Sequence, residues 1–536
     1  MRHFLIRTLL AVFLILILAD CAKRGTPSGG PEDEDPPVLL SAEPKQETTN
    51  FKSKHIRLTF DEYIKLNDLQ KQLIVSPPMD PAPTITPQGS ASKYLDIEIT
   101  DTLQPNTTYV INFGQSVQDN HEGNPYPFFK YIFSTGDYID TLKVEGRIRD
   151  AYNKEAAPYV NVMLYDYNEE FNDSTIYNVK PTYITNTLDS TTAFEITNVK
   201  PGKYKLIALK EESPNYMYNR QTDKLAFYED VITVPTDTTY ELSLFKEVLN
   251  YRATKPALVA KNRIVFGYEG DSTGMKINLL SDKPDDFTSR IIPDKEIDTL
   301  HYWFTPFEAD SLIFTVAKNE QFIDTFTVRI KELYNDSLKV TPNFKGAIPP
   351  NKRFKIAANT PLSTVNNDSI KLINQDSVAV PFSTSLDKYL NEVTFDFETK
   401  ENQRYILQLL PGTVKDMFEK TNDTLQYSFK QKKYTDYGTI IVKLQGVKSF
   451  PIIVQLTDKN GNVKEEQFAA TEENTFYFSS IEPSTYFLRV IYDTNGNKKW
   501  DTGDYFEKIQ PERMFYYPES IELRANWEFE QQFILN

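Results

Sequence analysis

The sequence predicts an all-β protein built from tandem β-sandwich modules. Three observations predict it. Beyond residue 36 the chain runs in short alternating apolar and polar segments, seldom longer than eight residues, such as His55–Phe60, Tyr109–Phe113 and Gly438–Leu444. Alternation is the period of a half-buried strand. Asn, Asp, Gly and Pro separate these runs, and no long stretch keeps a helical period; one short helical turn is expected at Asn67–Gln72. The third observation is a repeat. Phe194, Ile196, Val199, Pro201, Tyr204 and Leu206 recur as Phe476, Phe478, Ile481, Pro483, Tyr486 and Leu488, offset by 282 at every position. Two strands joined by a Pro-containing turn, with alternate residues pointing into a sandwich, account for it.

Composition agrees. The 536 residues include 32 Tyr and 35 Phe, too many for a disordered chain, and Pro (32) outnumbers Gly (19), unlike a flexible linker protein. A net charge of −16 argues against a nucleic-acid partner held by a broad basic surface. The length suggests about five modules of roughly 100 residues each.

The elements follow in order. Residues 1–20 read as a signal peptide: Arg2 and Arg7 precede an apolar run from Leu9 to Ala19, short for a bilayer span. The run ends at Leu18-Ala19-Asp20-Cys21, and Cys21 is the only cysteine. This resembles a bacterial lipobox, with Asp20 where such sites carry a small residue. The resemblance implies a diacylglycerol on Cys21 and an anchor that does not cross the membrane. Loss of Arg2, Arg7 and Asp20 makes the mature charge −17, and no intramolecular disulfide is available. Residues 21–35 form a flexible acidic tether with Glu32-Asp33-Glu34-Asp35. It reads as a solvated linker, or by resemblance as the acidic export signal of Bacteroidota surface lipoproteins. An outer-membrane anchor exposed at the cell surface is expected, with a periplasm-facing anchor as the alternative.

Residues 36–138 carry Phe60-Asp-Glu-Tyr63, Leu103-Gln-Pro-Asn-Thr-Thr-Tyr109, Asp119-Asn-His-Glu-Gly-Asn124 and Phe133-Ser-Thr135. In this order they resemble the SbsA-type bacterial Ig-like domain. Residues 335–434 repeat part of the pattern, with Tyr405, Val414, Asp416, Tyr427 and Phe429 matching Tyr109, Val117, Asp119, Tyr131 and Phe133. Residues 139–247 hold the first copy of the 282-offset motif and the opening strand Val144–Asp150. They resemble the transthyretin-like module of carboxypeptidase regulatory domains. Residues 435–536 hold the second copy, with Ser484 in place of Gly202. Residues 248–334 read as a further sandwich of no named type. A rod of these modules is expected.

One local motif points to a metal. Asp493, Asn495, Asn497, Asp501 and Asp504 place oxygen side chains at positions 1, 3, 5, 9 and 12 of a loop, with the Lys499 carbonyl at position 7. A hard cation needs six to eight oxygens. The motif resembles a dockerin-type calcium loop, departing from it at Lys498, where a glycine turns the chain, and at Asn497, where a charge is usual. Weak, structural Ca2+ binding is one expectation; a polar hairpin tip turned by Asn495-Gly496 is the other.

Catalysis has little support. His55, His121 and His301 show no HExxH pairing, and neither a G-x-S-x-G elbow nor a phosphate-binding glycine loop occurs. Asp followed by Ser or Thr and then Ala, Ile, Leu, Val, Met or Thr occurs twelve times, from Asp101 to Asp423, which resembles the O-glycosylation sequon of exported Bacteroidota proteins and equally suits turns entering strands. Tyr126, Phe128, Phe129, Tyr505, Phe515, Tyr516 and Tyr517 are either core residues or a glycan platform.

These readings converge on a non-enzymatic surface lipoprotein acting in protein–protein interaction or scaffolding. By resemblance it is an accessory subunit of an outer-membrane protein assembly or secretion machine, with outer-membrane proteins as partners. A glycan-binding or adhesion lipoprotein is the alternative, and a glycoside hydrolase a weaker one.

Overall fold

Alternation in the sequence becomes alternation in burial. Along the strand His55–Leu66, Ile56, Leu58 and Phe60 are buried between exposed His55, Arg57 and Asp61. The computed structural model describes residues 33–187, 192–294, 297–318, 322–350 and 352–535, which are strands and connecting turns with two four-residue α-helices and two three-residue 3-10 helices. The signal peptide, Cys21, residues 21–32 of the tether and the Asp189 sequon lie outside the described residues. The expected helical turn is the helix Leu69–Gln72. The fold class is the tandem β-sandwich architecture that the alternation predicts.

In the first module one sheet orders Leu39–Glu43, His55–Leu66, Ser92–Glu98 and Thr84–Thr86, with Val117–Asp119 paired to His55–Leu66. The facing sheet orders Ile74–Ser76, Thr108–Asn112 and Lys130–Ser134. Phe60, Ile97, Ile111, Tyr131 and Phe133 fill the space between them. The fourth module repeats this order. Val340–Pro342, Phe354–Ala358, Glu392–Asp396 and Ser383–Asp387 face Ile370–Asn374, Arg404–Leu409 and Leu425–Gln431, and Gly346–Ile348 adds a parallel edge.

The aspartates shared by these two modules end matching short strands, Val117–Asp119 and Val414–Asp416. The Asp119 carboxylate accepts N–H bonds from His121, Glu122, Gly123 and Asn124 at 2.6–3.1 Å. Asp416 accepts those of Phe418 and Lys420 and the Thr360 hydroxyl. Each buried carboxylate thereby organises the turn behind it.

The second and fifth modules share another topology. In the second, the opening strand Leu142–Asp150 pairs antiparallel with Ala193–Val199 and parallel with the closing strand Thr239–Leu244. In the fifth, Gly438–Gln445 pairs antiparallel with Thr475–Ile481 and parallel with Glu528–Ile534. The larger sheets order Tyr183–Asn186, Asn161–Asp166, Gly202–Lys210 and Lys224–Phe227, and correspondingly Val463–Ala469, Ile452–Thr457, Thr485–Tyr492 and Met514–Glu522. Among the described residues the third module is an eight-stranded unit between Arg252 and Arg329, around Phe266, Tyr302 and Phe314.

Two strands of these larger sheets break the alternation. Asn161–Tyr165 and Ile452–Thr457 are buried at every residue. Such runs mark strands covered on both faces. The cover over the second module's outer face includes Tyr505 and Trp500 of the fifth module and Ile74 of the first. The modules therefore do not form the expected rod. Modules two to five close on themselves because the last docks on the second, and an outer apolar face gains more by meeting another module than water.

The four N–H bonds hold the Asp119 carboxyl below the ordinary carboxylate range, although burial alone would raise it. Its contribution to stability is present at neutral pH and is lost as pH falls through that lowered value. Asp119→Ala should cost about 2–3 kcal/mol at neutral pH. Urea unfolding at pH 7 and at low pH checks this, and the difference between variant and wild type should shrink in acid.

Candidate functional site at the seam of modules two and five

The segment between the fifth module's strands Thr485–Tyr492 and Met514–Glu522 forms the dock. Tyr505 is 1 % exposed, and its ring meets Phe227 of the second module edge-on at 5.3 Å. Its backbone N–H donates to Glu247 Oε1 at 2.8 Å. Glu247 is itself buried, and its Oε2 accepts the Tyr218 hydroxyl at 2.7 Å and lies 3.3 Å from Arg220 Nε. Arg220 reaches Asp504 Oδ2 at 3.3 Å, so one cation joins carboxylates from both modules. Burial, and then the Glu247 charge, push the Tyr218 phenol far above its ordinary value, which keeps the hydroxyl a donor.

Other contacts surround this centre. The Thr502 hydroxyl donates to the Lys246 carbonyl at 2.7 Å, and Gln510 Nε2 donates to the Phe227 carbonyl at 3.1 Å. Lys508 Nζ lies 2.5 Å from Asp173 Oδ1, and Phe506 stacks on Tyr177 at 5.7 Å. Gly503 permits the approach: a Cβ there would stand 2.7 Å from both the Phe245 ring and the Ile509 carbonyl.

The candidate calcium loop is the root of this segment. Asp493 is fully buried, and its carboxylate accepts the N–H groups of Gly496, Asn497 and Lys498 at 2.8–3.1 Å. Asn495 and Asn497 both donate to Asp501 Oδ2, at 2.5 and 2.7 Å, and Lys499 N–H donates to Asn497 Oδ1 at 2.8 Å. Lys498 adopts the left-handed φ of 65° that a glycine would take more cheaply. Asp504 is not among these contacts and pairs with Arg220. Among the described residues no three His, Cys, Asp or Glu side chains converge on a metal position. Sequence reasoning missed Glu512. This buried carboxylate binds the Thr494 N–H and hydroxyl and the Asp501 N–H, tying both ends of the loop.

Residues 33–135 match the bacterial Ig-like domain family. Among solved structures, domains 1–6 of the surface layer protein SbsC are 12% identical, with 91% of this chain and 67% of that one covered and a TM-score of 0.16. The major pilin subunit BcpA of Bacillus cereus is 10% identical, with 74% and 99% covered and a TM-score of 0.13. Latent PorU from Porphyromonas gingivalis is 10% identical, with 53% and 36% covered and a TM-score of 0.18. No curated protein matches the chain.

The Ig-like domain is fixed to the second module beside the seam. Ser76 Oγ accepts the Ile184 N–H, Lys180 pairs with Asp80 at 2.9 Å, and the Thr108 hydroxyl donates to buried Asp140. Of the aromatics considered for a glycan platform, Phe129 and Tyr505 are core residues. Tyr126, Phe515, Tyr516 and Tyr517 are half-buried, and Phe128 stands exposed.

Truncating the buried node should release the dock while leaving each sandwich folded. Glu247→Ala should cost about 3 kcal/mol by stranding its partners. Gly503→Ala should act through the clash with Phe245. Hydrogen exchange across 500–512 should quicken in both variants, while exchange in Gly438–Gln445 stays unchanged.

Proposed function

We propose that this chain is a non-enzymatic, lipid-anchored scaffold that presents β-sandwich surfaces to protein partners outside the cytoplasm. The observation that carries the reading is the closed arrangement. A flexible string of sandwiches offers surfaces in no fixed relation, whereas the docked fifth module sets four modules against one another and so presents a composite surface. The bacterial Ig-like match at 33–135 supports an interaction role, since antiparallel sandwiches offer edges and loops to partners.

The finer reading places the anchor on Cys21 in the outer membrane, facing the cell surface, with outer-membrane proteins as partners in an assembly or secretion machine. It rests on the lipobox-like and acidic segments of the sequence. Calcium would act on the 493–501 turn as a structural ion, held by Asp493, Asn495, Asn497, Asp501 and the Lys499 carbonyl. Millimolar calcium should then raise the melting temperature of wild type but not of Asp501→Ala. An equal response in both removes the ion from this loop.

Purification of tagged protein from its own membrane in mild detergent, followed by mass spectrometry, tests the scaffold. Stoichiometric recovery of an outer-membrane protein is expected, with Cys21→Ser shifting the chain to the soluble fraction. Recovery of the chain alone contradicts the scaffold reading.

A further inference from the structure

One row of side chains separates the two repeated modules. Across the second module's larger sheet, Met163, Ile207 and Phe227 lie opposite one another on three neighbouring strands, all buried. The same row in the fifth module is Gln455, Arg489 and Tyr516, and Arg489 stands 282 residues after Ile207. The fold thus accepts an apolar row here, and the fifth module carries a polar one in its place.

Arg489 is 2 % exposed. Its Nε donates to Gln455 Oε1 at 2.6 Å and its Nη1 to the Tyr516 hydroxyl at 3.3 Å. The guanidinium lies 5.1 Å from the ring centre of Tyr152, which belongs to the second module. Gln455 also donates to Glu466, and Tyr516 to the Tyr152 carbonyl, so both neighbours are held in place. Among the described residues each direct partner of the guanidinium is neutral. A guanidinium offers five N–H donors and stays charged at every physiological pH. Burying such a charge without an anion is costly.

Arg489 lines a pocket of about 370 Å³ between the turn Tyr152–Glu155 and the turn Thr457–Gly461. That volume falls within the range of small-molecule sites. Tyr152, Phe487 and Tyr516 supply aromatic rings, while Asn153, Thr457 and Asn460 supply uncharged polar groups. The two carboxylates on its wall do not neutralise Arg489. Asp458 is engaged by Lys464 and by Asn462, and Glu155 is exposed to solvent.

We propose that this pocket binds a sugar acid, whose carboxylate pairs with Arg489 and whose ring lies against the aromatic wall. The planar guanidinium matches a carboxylate in two parallel hydrogen bonds. Hydroxyls suit the Asn153, Thr457 and Asn460 lining better than an apolar side chain would. Because the rings come from both modules, the site exists only while the fifth is docked on the second.

Calorimetric titration of the full chain with D-galacturonate, D-galactose and N-acetylglycine tests this. Galacturonate should bind, and galactose, which lacks the carboxylate, should bind about tenfold more weakly or not at all. Arg489→Met replaces the buried charge by an apolar side chain between Gln455 and Tyr516, as Ile207 stands between Met163 and Phe227 in the second module. It should keep or raise the melting temperature and lose about tenfold or more in galacturonate affinity. If that variant unfolds, Arg489→Lys, which keeps the charge without the planar fork, should weaken galacturonate binding. Absence of galacturonate binding to wild type overturns the proposal. So does equal binding of galactose, unchanged affinity in the Arg489 variants, or preference for N-acetylglycine, which would make the ligand a peptide-type carboxylate.

Discussion

The arrangement of this molecule depends on one buried carboxylate. Glu247 sits at the end of the second module, where the chain leaves for the third. It holds the Tyr505 backbone of the fifth module, the Tyr218 hydroxyl and the Arg220 guanidinium at once. Arg220 adds the Val248 carbonyl at the start of the third module and Asp504 of the fifth. The junction between two modules consecutive in the chain and the dock of a distant one are thus built from the same few side chains. Loss of the dock disturbs the junction, and the reverse.

Energetically the two halves of the seam differ. Around Tyr505, Trp500 and the second module's Met163, Ile207 and Phe227, apolar burial supplies the attraction. The Glu247 node contributes less net free energy, because desolvating its charges offsets much of their attraction. Its effect is registry: only one placement of the fifth module lets Glu247, Arg220 and Asp504 all be partnered. Gly503 sets the distance of closest approach. The polar row Gln455, Arg489 and Tyr516 lies on the same seam without an anion of its own, a local departure from the apolar rule that such a fold obeys elsewhere.

Much of the fold is legible in the sequence, because a strand covered on one face writes a period of two. The 282-residue repeat shows that two segments share a strand pattern, and the Val-x-Asp pairs mark turns organised by a buried carboxylate. The dock was not legible. Its signal is the loss of alternation in Val162-Met163-Leu164-Tyr165 and Ile452-Ile453-Val454, which states that a second face is covered but not by what. Asp493, Asn495, Asn497 and Asp501 were visible as a polar loop. That Asp504 turns to Arg220, and that Glu512 ties the loop, depend on partners 284 and 18 residues away in the chain. Arg489 had a readable signal, a lone cation inside the apolar strand Thr485–Tyr492, and its neutral partners could be known only from the sheet.

Zero-length carbodiimide cross-linking of the dilute native protein, followed by peptide mass spectrometry, addresses the docked arrangement most directly. Lys508 Nζ and Asp173 Oδ1 are 2.5 Å apart across the seam. The account predicts an intramolecular amide between these two residues, absent in Lys508→Gln and weakened in Glu247→Ala. A monomer that folds fully and never forms the 173–508 link would contradict it.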